Sequence, residues 1–354
     1  MEEITLENVC EAIQEYLDPN LNEDLLSADA IKDIRITGRE VEVDIELGFP
    51  CGLYREWLEK ELSGQISERL SELDSIQIHL STSIASASEG LSAPAVKGVK
   101  NIIAIGSARG GTGKTTLALN FALALAREGA RVGLVEGDSR CPTALYMLGE
   151  ELAQVKKMGS MQMPIISHGV NVSSLCHLDP GELSPHARAP QLANGIRKLL
   201  DTTLWGELDY LLLDLPSSEE LFYAVNRVVP LAGLVMIAMP HRLSQIHTRS
   251  SLDVYKKSSV PVLGVVENMS LYLCPHCGRV DPVWGDGGIK ALADEYKIPL
   301  LGSVPLMRAI RQSGDEGDPT AILDDHEKIS HAFHEIVRKF TARLSRLGAV
   351  GRPG

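Results

Sequence analysis

The stretch "NIIAIGSARGGTGKTTLALNFALALAREG", residues 101–129, decides the fold. It begins as an apolar run, Ile102 to Ile105, passes through a glycine-rich turn and ends in leucines and alanines at helical spacing. A strand, such a turn, "GKT" and a helix together make a phosphate-cradling loop. The amides of Gly110, Gly111, Thr112, Gly113 and Lys114 point inward, and the helix N-terminus adds positive potential. Lys114 then reaches the outer phosphates, the Thr115 hydroxyl is a ligand for Mg²⁺, and Thr116 closes the nucleotide-binding stretch. The loop departs from G-x-x-x-x-G-K-[ST] in one respect: the first glycine falls on Ala108, with a second cation, Arg109, behind it.

Outward from this loop the same rhythm repeats. "RVGLVEGD", "DYLLLDLP", "GLVMIAM", "PVLGVVEN" and "PLLGSVP" are short, mostly continuous apolar runs separated by helical patterns, as in strands buried on both faces of a parallel sheet. The expected fold class is α/β, a doubly wound, mostly parallel sheet over residues 100–354 with ligands at the strand ends.

Residues 1–82 read as a separate small α+β unit of order α-β-β-α-β. Thr5 caps a helix carrying Val9, Ile13 and Leu17 that ends at Asp18-Pro19. Ile34, Ile36, Val41, Val43, Ile45 and Leu47 alternate around a Gly38 turn. A second helix presents Leu53, Trp57, Leu58, Leu62, Ile66 and Leu70, and a third strand Ile76, Ile78 and Leu80. Residues 83–99, rich in Ser, Ala, Gly and Pro, read as a flexible linker.

Composition narrows the function. With 354 residues, 44% hydrophobic and only 5% aromatic, the chain suits an α/β protein. A net charge of −13 repels polyanions, so neither nucleic acid nor membrane is an expected partner, and an anionic ligand must be held by local dipoles and a few cations. No apolar run approaches the ~20 residues that cross a bilayer, and the start, "MEEITLENVC", is acidic, so a cytoplasmic location is expected. Six cysteines are too sparse for a disulfide framework and stay available as thiols.

ATP hydrolysis needs a held Mg²⁺ and an oriented water, and Asp138 and Asp214, at the ends of two apolar runs, are placed to serve. Aspartate at such positions also caps turns. Further on, "LCPHCG" sets Cys274 and Cys277 in a knuckle whose sulfurs face one way, with Gly278 permitting the positive φ that closes it. Two thiolates are half of a zinc or iron–sulfur site. Two copies of the chain about a twofold axis would supply four; a redox dithiol, or completion by His276, Cys141 or Cys176, are the competing arrangements.

The Ala108–Arg109 departure resembles the deviant Walker class of MinD, ParA and the nitrogenase iron protein, K-G-G-x-G-K-[ST]. The resemblance implies that the early cation, here Arg109, reaches across a dimer to the partner's nucleotide. It also implies that Asp138, in "EGDSRCPT", is the water-activating residue of the first switch, with Glu136 replacing an earlier Asp. Asp214 would stand near the Mg²⁺ shell, and the Asn268 amide would read adenine. "DLPSSEE" departs from the second switch, D-x-P-P-G-T-x-D, which points to slow turnover.

"ENMSLYLCPHCG", "WGDGGIKALADEYKIPLLGSVPL" and "WGELDYLLLDLP", with the loop, resemble the Mrp/ApbC family of iron–sulfur cluster carrier ATPases. The N-terminal unit is similar to a SufT-like domain, including "GFPCG", which makes Cys51 a candidate accessory thiol. The resemblance implies ATP and Mg²⁺, a homodimer bridging a [4Fe–4S] cluster through Cys274 and Cys277, and apo iron–sulfur proteins as recipients. Zinc is the alternative metal. A positioning ATPase like MinD or ParA is the alternative function.

Overall fold

In the computed structural model, which describes residues 4–87, 91, 93–178, 181, 187–274, 276–319 and 327–349, the chain divides into two units. The first runs to Ala85 and includes Arg127–Gly129 and the stretch from Thr341 onward; the second comprises Ser86–Ala126 and Ala130–Phe340.

In the first unit, α1 (Leu6–Gln14) starts where Thr5 Oγ1 accepts the Asn8 amide at 3.3 Å, and it buries Val9, Ala12 and Ile13. It stops at Gln14, short of the expected Asp18-Pro19. The Asp18 carboxylate organises the next turn instead, accepting the Asn20 and Leu21 amides at 2.8 and 3.0 Å. β1 (Ile31–Thr37) and β2 (Glu40–Leu47) form the hairpin around Gly38, φ +66°, and β3 (Ser75–Thr82) pairs parallel to β2. Val41, Val43, Ile45 and Leu47 point inward to meet Leu58, Leu62 and Ile66 of α2 (Arg55–Arg69). Leu53 and Trp57, expected on that face, are 58% and 47% exposed. Leu53 precedes the helix, and Trp57 sits one position off the 58–62–66 stripe, stacked on Tyr54 at 5.2 Å.

The second unit contains β4 (Val99–Ser107), α3 (Lys114–Arg127), β5 (Val132–Glu136), α4 (Thr143–Met147), β6 (Ile165–Ser167), β7 (Val170–Ser174), α5 (Ala189–Thr202), β8 (Leu208–Asp214), α6 (Glu219–Val228), β9 (Leu231–Ala238) and α7 (Arg242–Tyr255). β10 (Val262–Leu273), β11 (Val280–Asp281), α8 (Gly288–Tyr296), β12 (Leu300–Leu306), α9 (Arg308–Glu316) and α10 (Glu327–Ala349) follow, and the residues of α10 from Thr341 onward belong to the first unit, not to the expected 100–354 domain. The sheet order is β6-β7-β5-β8-β4-β9-β10, with β11 and β12 both paired to β10. Among the described residues of this sheet, only β6 and β11 run antiparallel to their neighbours.

All six apolar runs appear as strands, and β5, β8 and β9 are buried at every position, the cause of their missing alternation. β6 and β7 were not expected: they are short, mix polar residues with apolar ones, and leave Ile166 65% exposed.

The expected linker is corrected where it is described. Val99 already belongs to β4, and Ala93 and Val96 are buried, Val96 within the core cluster of Trp205, Leu208 and Val229. The Arg197 guanidinium holds the carbonyls of Pro94 and Ala95 at 2.6 and 3.4 Å, and Ser86 Oγ donates to the Lys100 carbonyl at 3.1 Å. These bonds come from distant residues, so composition alone could not announce them.

Candidate nucleotide and thiol site

β4 delivers the loop at its carboxyl end. Gly111 and Gly113 adopt φ of +81° and +80°, a backbone that a side chain would strain, and α3 begins at Lys114 with Leu117 to Leu125 buried beneath it. Ser107 Oγ donates to the Arg109 carbonyl at 2.9 Å and lies 2.7 Å from Ser217 Oγ, tying the loop to the segment after β8. No local pattern announces that tie: "SS" replaces the expected proline and glycine, and Ser218 caps α6 by accepting the Leu221 amide at 3.1 Å. Altered as it is, the second switch is structured.

Lys114 Nζ pairs with Asp214 Oδ1, and Thr115 Oγ1 donates to Asp214 Oδ2 at 2.6 Å. Asp214 is only 3% exposed, and these two donors are its partners there. A hydroxyl and a carboxylate brought together beside a lysine are hard oxygen donors that fit Mg²⁺. When bound, Mg²⁺ neutralises charge on the outer phosphates.

Asp138 lies beyond β5, half-exposed and gripped by Arg140: its Oδ1 accepts the Arg140 amide at 3.0 Å and Nε at 3.1 Å, and its Oδ2 accepts the other end of the guanidinium at 2.9 Å. That pairing holds the carboxyl below its ordinary range. Glu136, the register partner of Asp214, is 1% exposed. Its Oε1 accepts the Ala144 amide at 3.0 Å, its Oε2 has no partner among the described residues, and burial pushes the carboxyl up to about 7.

A raised carboxyl pKa means that the folded chain holds this proton more tightly than the unfolded chain does. Stability from it is complete below pH 4.5 and is lost as pH rises toward about 7. Glu136→Gln, which keeps the bond to Ala144, is expected to shrink the stability difference between pH 5 and 8 by roughly 2 kcal/mol. Denaturant midpoints at the two pH values measure it, and equal slopes for both proteins would rule out the assignment.

A cavity of about 400 Å³ adjoins the loop, lined by Gly113, Thr116, Asn268, Tyr146, Pro305 and Ile310 among others. Asn268 Nδ2 donates to the Thr112 carbonyl at 2.7 Å, which fixes the amide and leaves its Oδ1 as an acceptor. Asn268→Ala strands that buried carbonyl, so nucleotide affinity is expected to fall about tenfold, a loss of ~1–2 kcal/mol. Fluorescent-nucleotide titration reads this, and unchanged affinity would count against it. Arg109 is exposed, and its side chain has no bond among the described residues.

The knuckle stands where β10 runs past the sheet edge to meet β11, with Leu273 opposite Val280. The Cys274 amide bonds the Arg279 carbonyl and the Gly278 amide bonds the Cys274 carbonyl, each at 2.9 Å, and Gly278 takes φ +68°. Amides of His276 and Cys277 donate to the Cys274 sulfur and lower its pKa, favouring the thiolate that a metal binds. Cys277 is exposed. Pro275 lies outside the described residues. Among the described residues no group of three or more His, Cys, Asp or Glu is placed to hold a metal. Cys51 is 1% exposed, its sulfur 3.2 Å from Thr82 Oγ1 in the core of the first unit. In this conformation it packs and presents no thiol to solvent.

Loop, carboxylates and doubly wound sheet define a P-loop NTPase of the class with an additional cation ahead of its glycines. The chain belongs to the family described as NUBPL iron-transfer P-loop NTPase, whose model matches residues 98–341; residues 6–80 match an iron–sulfur cluster assembly protein domain. The chain is 31% identical over 344 residues to an iron–sulfur cluster carrier protein of Haemophilus influenzae, covering 97% of this chain and 93% of the relative. It is 33% identical to the one from Deinococcus radiodurans, covering 94% of each. A nucleotide-binding protein from Archaeoglobus fulgidus, solved with ADP, superposes with a TM-score of 0.55 at 27% identity, over 63% of this chain and 89% of that one. The MinC:MinD complex of Aquifex aeolicus, TM-score 0.50 at 18% identity over 68% of this chain and 95% of that one, shares the fold. The resemblance seen in the sequence motifs is borne out.

Proposed function

We propose that the chain binds and hydrolyses ATP and carries an iron–sulfur cluster, its cargo, to apo-proteins. One observation carries the proposal: a single unit holds both a triphosphate loop built on Lys114, Thr115 and Asp214 and a knuckle whose amides favour the Cys274 thiolate. Lys114 and the loop amides bind and orient the outer phosphates, Thr115 and Asp214 hold Mg²⁺, and Asp138 orients the attacking water once it exchanges Arg140 for that water. The bidentate Arg140 contact must loosen first, and with the altered second switch it makes turnover slow. In this reading Arg109, exposed and uncommitted among the described residues, would reach a partner's nucleotide.

Two knuckle thiolates need two more, and a homodimer supplies them about its twofold axis. A cluster shared in this way leaves when the subunits part, so closing and opening with nucleotide would load and release it. Names borne by the relatives support the cargo assignment. Iron, zinc and acid-labile sulfide per dimer after anaerobic reconstitution test it. About four irons and four sulfides per dimer are expected; colourless protein holding one zinc per dimer would replace cargo with a structural metal.

A further inference from the structure

The carboxyl ends of β5 and β7 bring together two thiols that neither the nucleotide chemistry nor the knuckle uses. The strands are parallel neighbours with Glu136 opposite Ser174, so the segments leaving them emerge side by side. Cys176, two residues past Ser174, donates its thiol to the Asp138 carbonyl at 3.7 Å. On the other segment the Asp138 carboxylate takes the Arg140 amide at 3.0 Å, and Cys141 follows three residues after the carbonyl that Cys176 holds. Both thiols thus belong to segments that meet at the Asp138 carbonyl. Cys141 is exposed and Cys176 half-buried.

We propose that Cys141 and Cys176 form a thiol–disulfide modification site that fixes the first switch, with a low-molecular-weight disulfide as co-reactant. Cys141 gives its proton to solvent and attacks one sulfur of the disulfide RSSR, forming Cys141–S–SR and releasing RS⁻. Cys176 then loses its proton and attacks the Cys141 sulfur, forming the internal bond and releasing the second RS⁻. Two protein thiols are oxidised, one RSSR is reduced, and the two protons leave with the two RS⁻ as RSH. Burial raises the Cys176 thiol, which makes it the slower attacker and suits it to the second, intramolecular step. The bond would staple the Asp138 segment to the end of β7 and hold Asp138 away from the water it must orient, a consequence that rests on the ATPase assignment.

The test uses the reduced full-length chain and oxidised glutathione as the probe. Peptide mass mapping is expected to show a Cys141–Cys176 link. Tryptic cleavage after exposed Arg140 should slow, and ATP hydrolysis should fall, each by at least about tenfold. Dithiothreitol should reverse all three, and Cys141→Ser and Cys176→Ser should be insensitive. Glutathione adducts on both cysteines without a link, or a link that leaves cleavage at Arg140 unchanged, overturns the proposal. Should the reduced chain fail to hydrolyse ATP, the ATPase assignment falls, while mapping and proteolysis still decide the thiol site.

Discussion

Lys114→Ala is expected to lower ATP turnover by roughly a hundred- to a thousandfold, the loss typical of removing one preorganised donor from developing charge. The ammonium pairs with Asp214, a carboxylate 3% exposed, and a bound triphosphate competes with that carboxylate for it. Removing Lys114 therefore acts twice: the phosphates lose a cation, and a nearly buried Asp214 is left with only the Thr115 hydroxyl at 2.6 Å, repelling the anion that enters. Affinity should fall along with the rate. Lys114→Ala/Asp214→Asn separates the two effects, since it removes the repulsion without restoring the cation. Nucleotide binding should recover in the double variant and turnover should not. If hydrolysis in Lys114→Ala stays within threefold of the parent, this loop is not the catalytic centre.

The second large effect concerns the knuckle. Cys277→Ser is expected to reduce cluster retained after anaerobic reconstitution to below about a tenth, because in the proposed dimeric site it would remove two of four ligands and the hard serine oxygen replaces soft thiolate poorly. Folding should be untouched: Cys277 is exposed, and the backbone turn is held by the Cys274 and Gly278 amides with Gly278 at φ +68°. Cys274→Ser should act equally on the cluster, although it is the Cys274 sulfur that receives the amides of His276 and Cys277. Visible absorbance and labile sulfide read the loss, with nucleotide affinity as the control. A Cys277→Ser protein that keeps its parent's spectrum would place the cluster elsewhere.

Much of this was legible beforehand, for identifiable reasons. Strand, glycines, lysine and helix at 101–129 lie contiguous in the chain, so local geometry alone builds the loop. The knuckle is equally local, four residues and a glycine. Asp214 could be placed at a strand end because β8 is an uninterrupted buried run. β6 and β7 escaped notice because three and five residues of mixed polarity carry no usable period.

The sequence by itself determined the sheet's six apolar strands, the phosphate loop and the thiol pair, each written in neighbouring residues whose spacing alone prescribes the backbone. Only the tertiary structure decided that Lys114 and Thr115 meet Asp214 a hundred residues on, that Ser107 touches Ser217, and that Asn268 holds the Thr112 carbonyl. It also decided that the segment around Ala93 and Val96 is packed, and that Cys176 comes to Asp138. Those contacts join strand ends far apart in the chain, and parallel pairing in a doubly wound sheet, which no local pattern encodes, brings them to one edge.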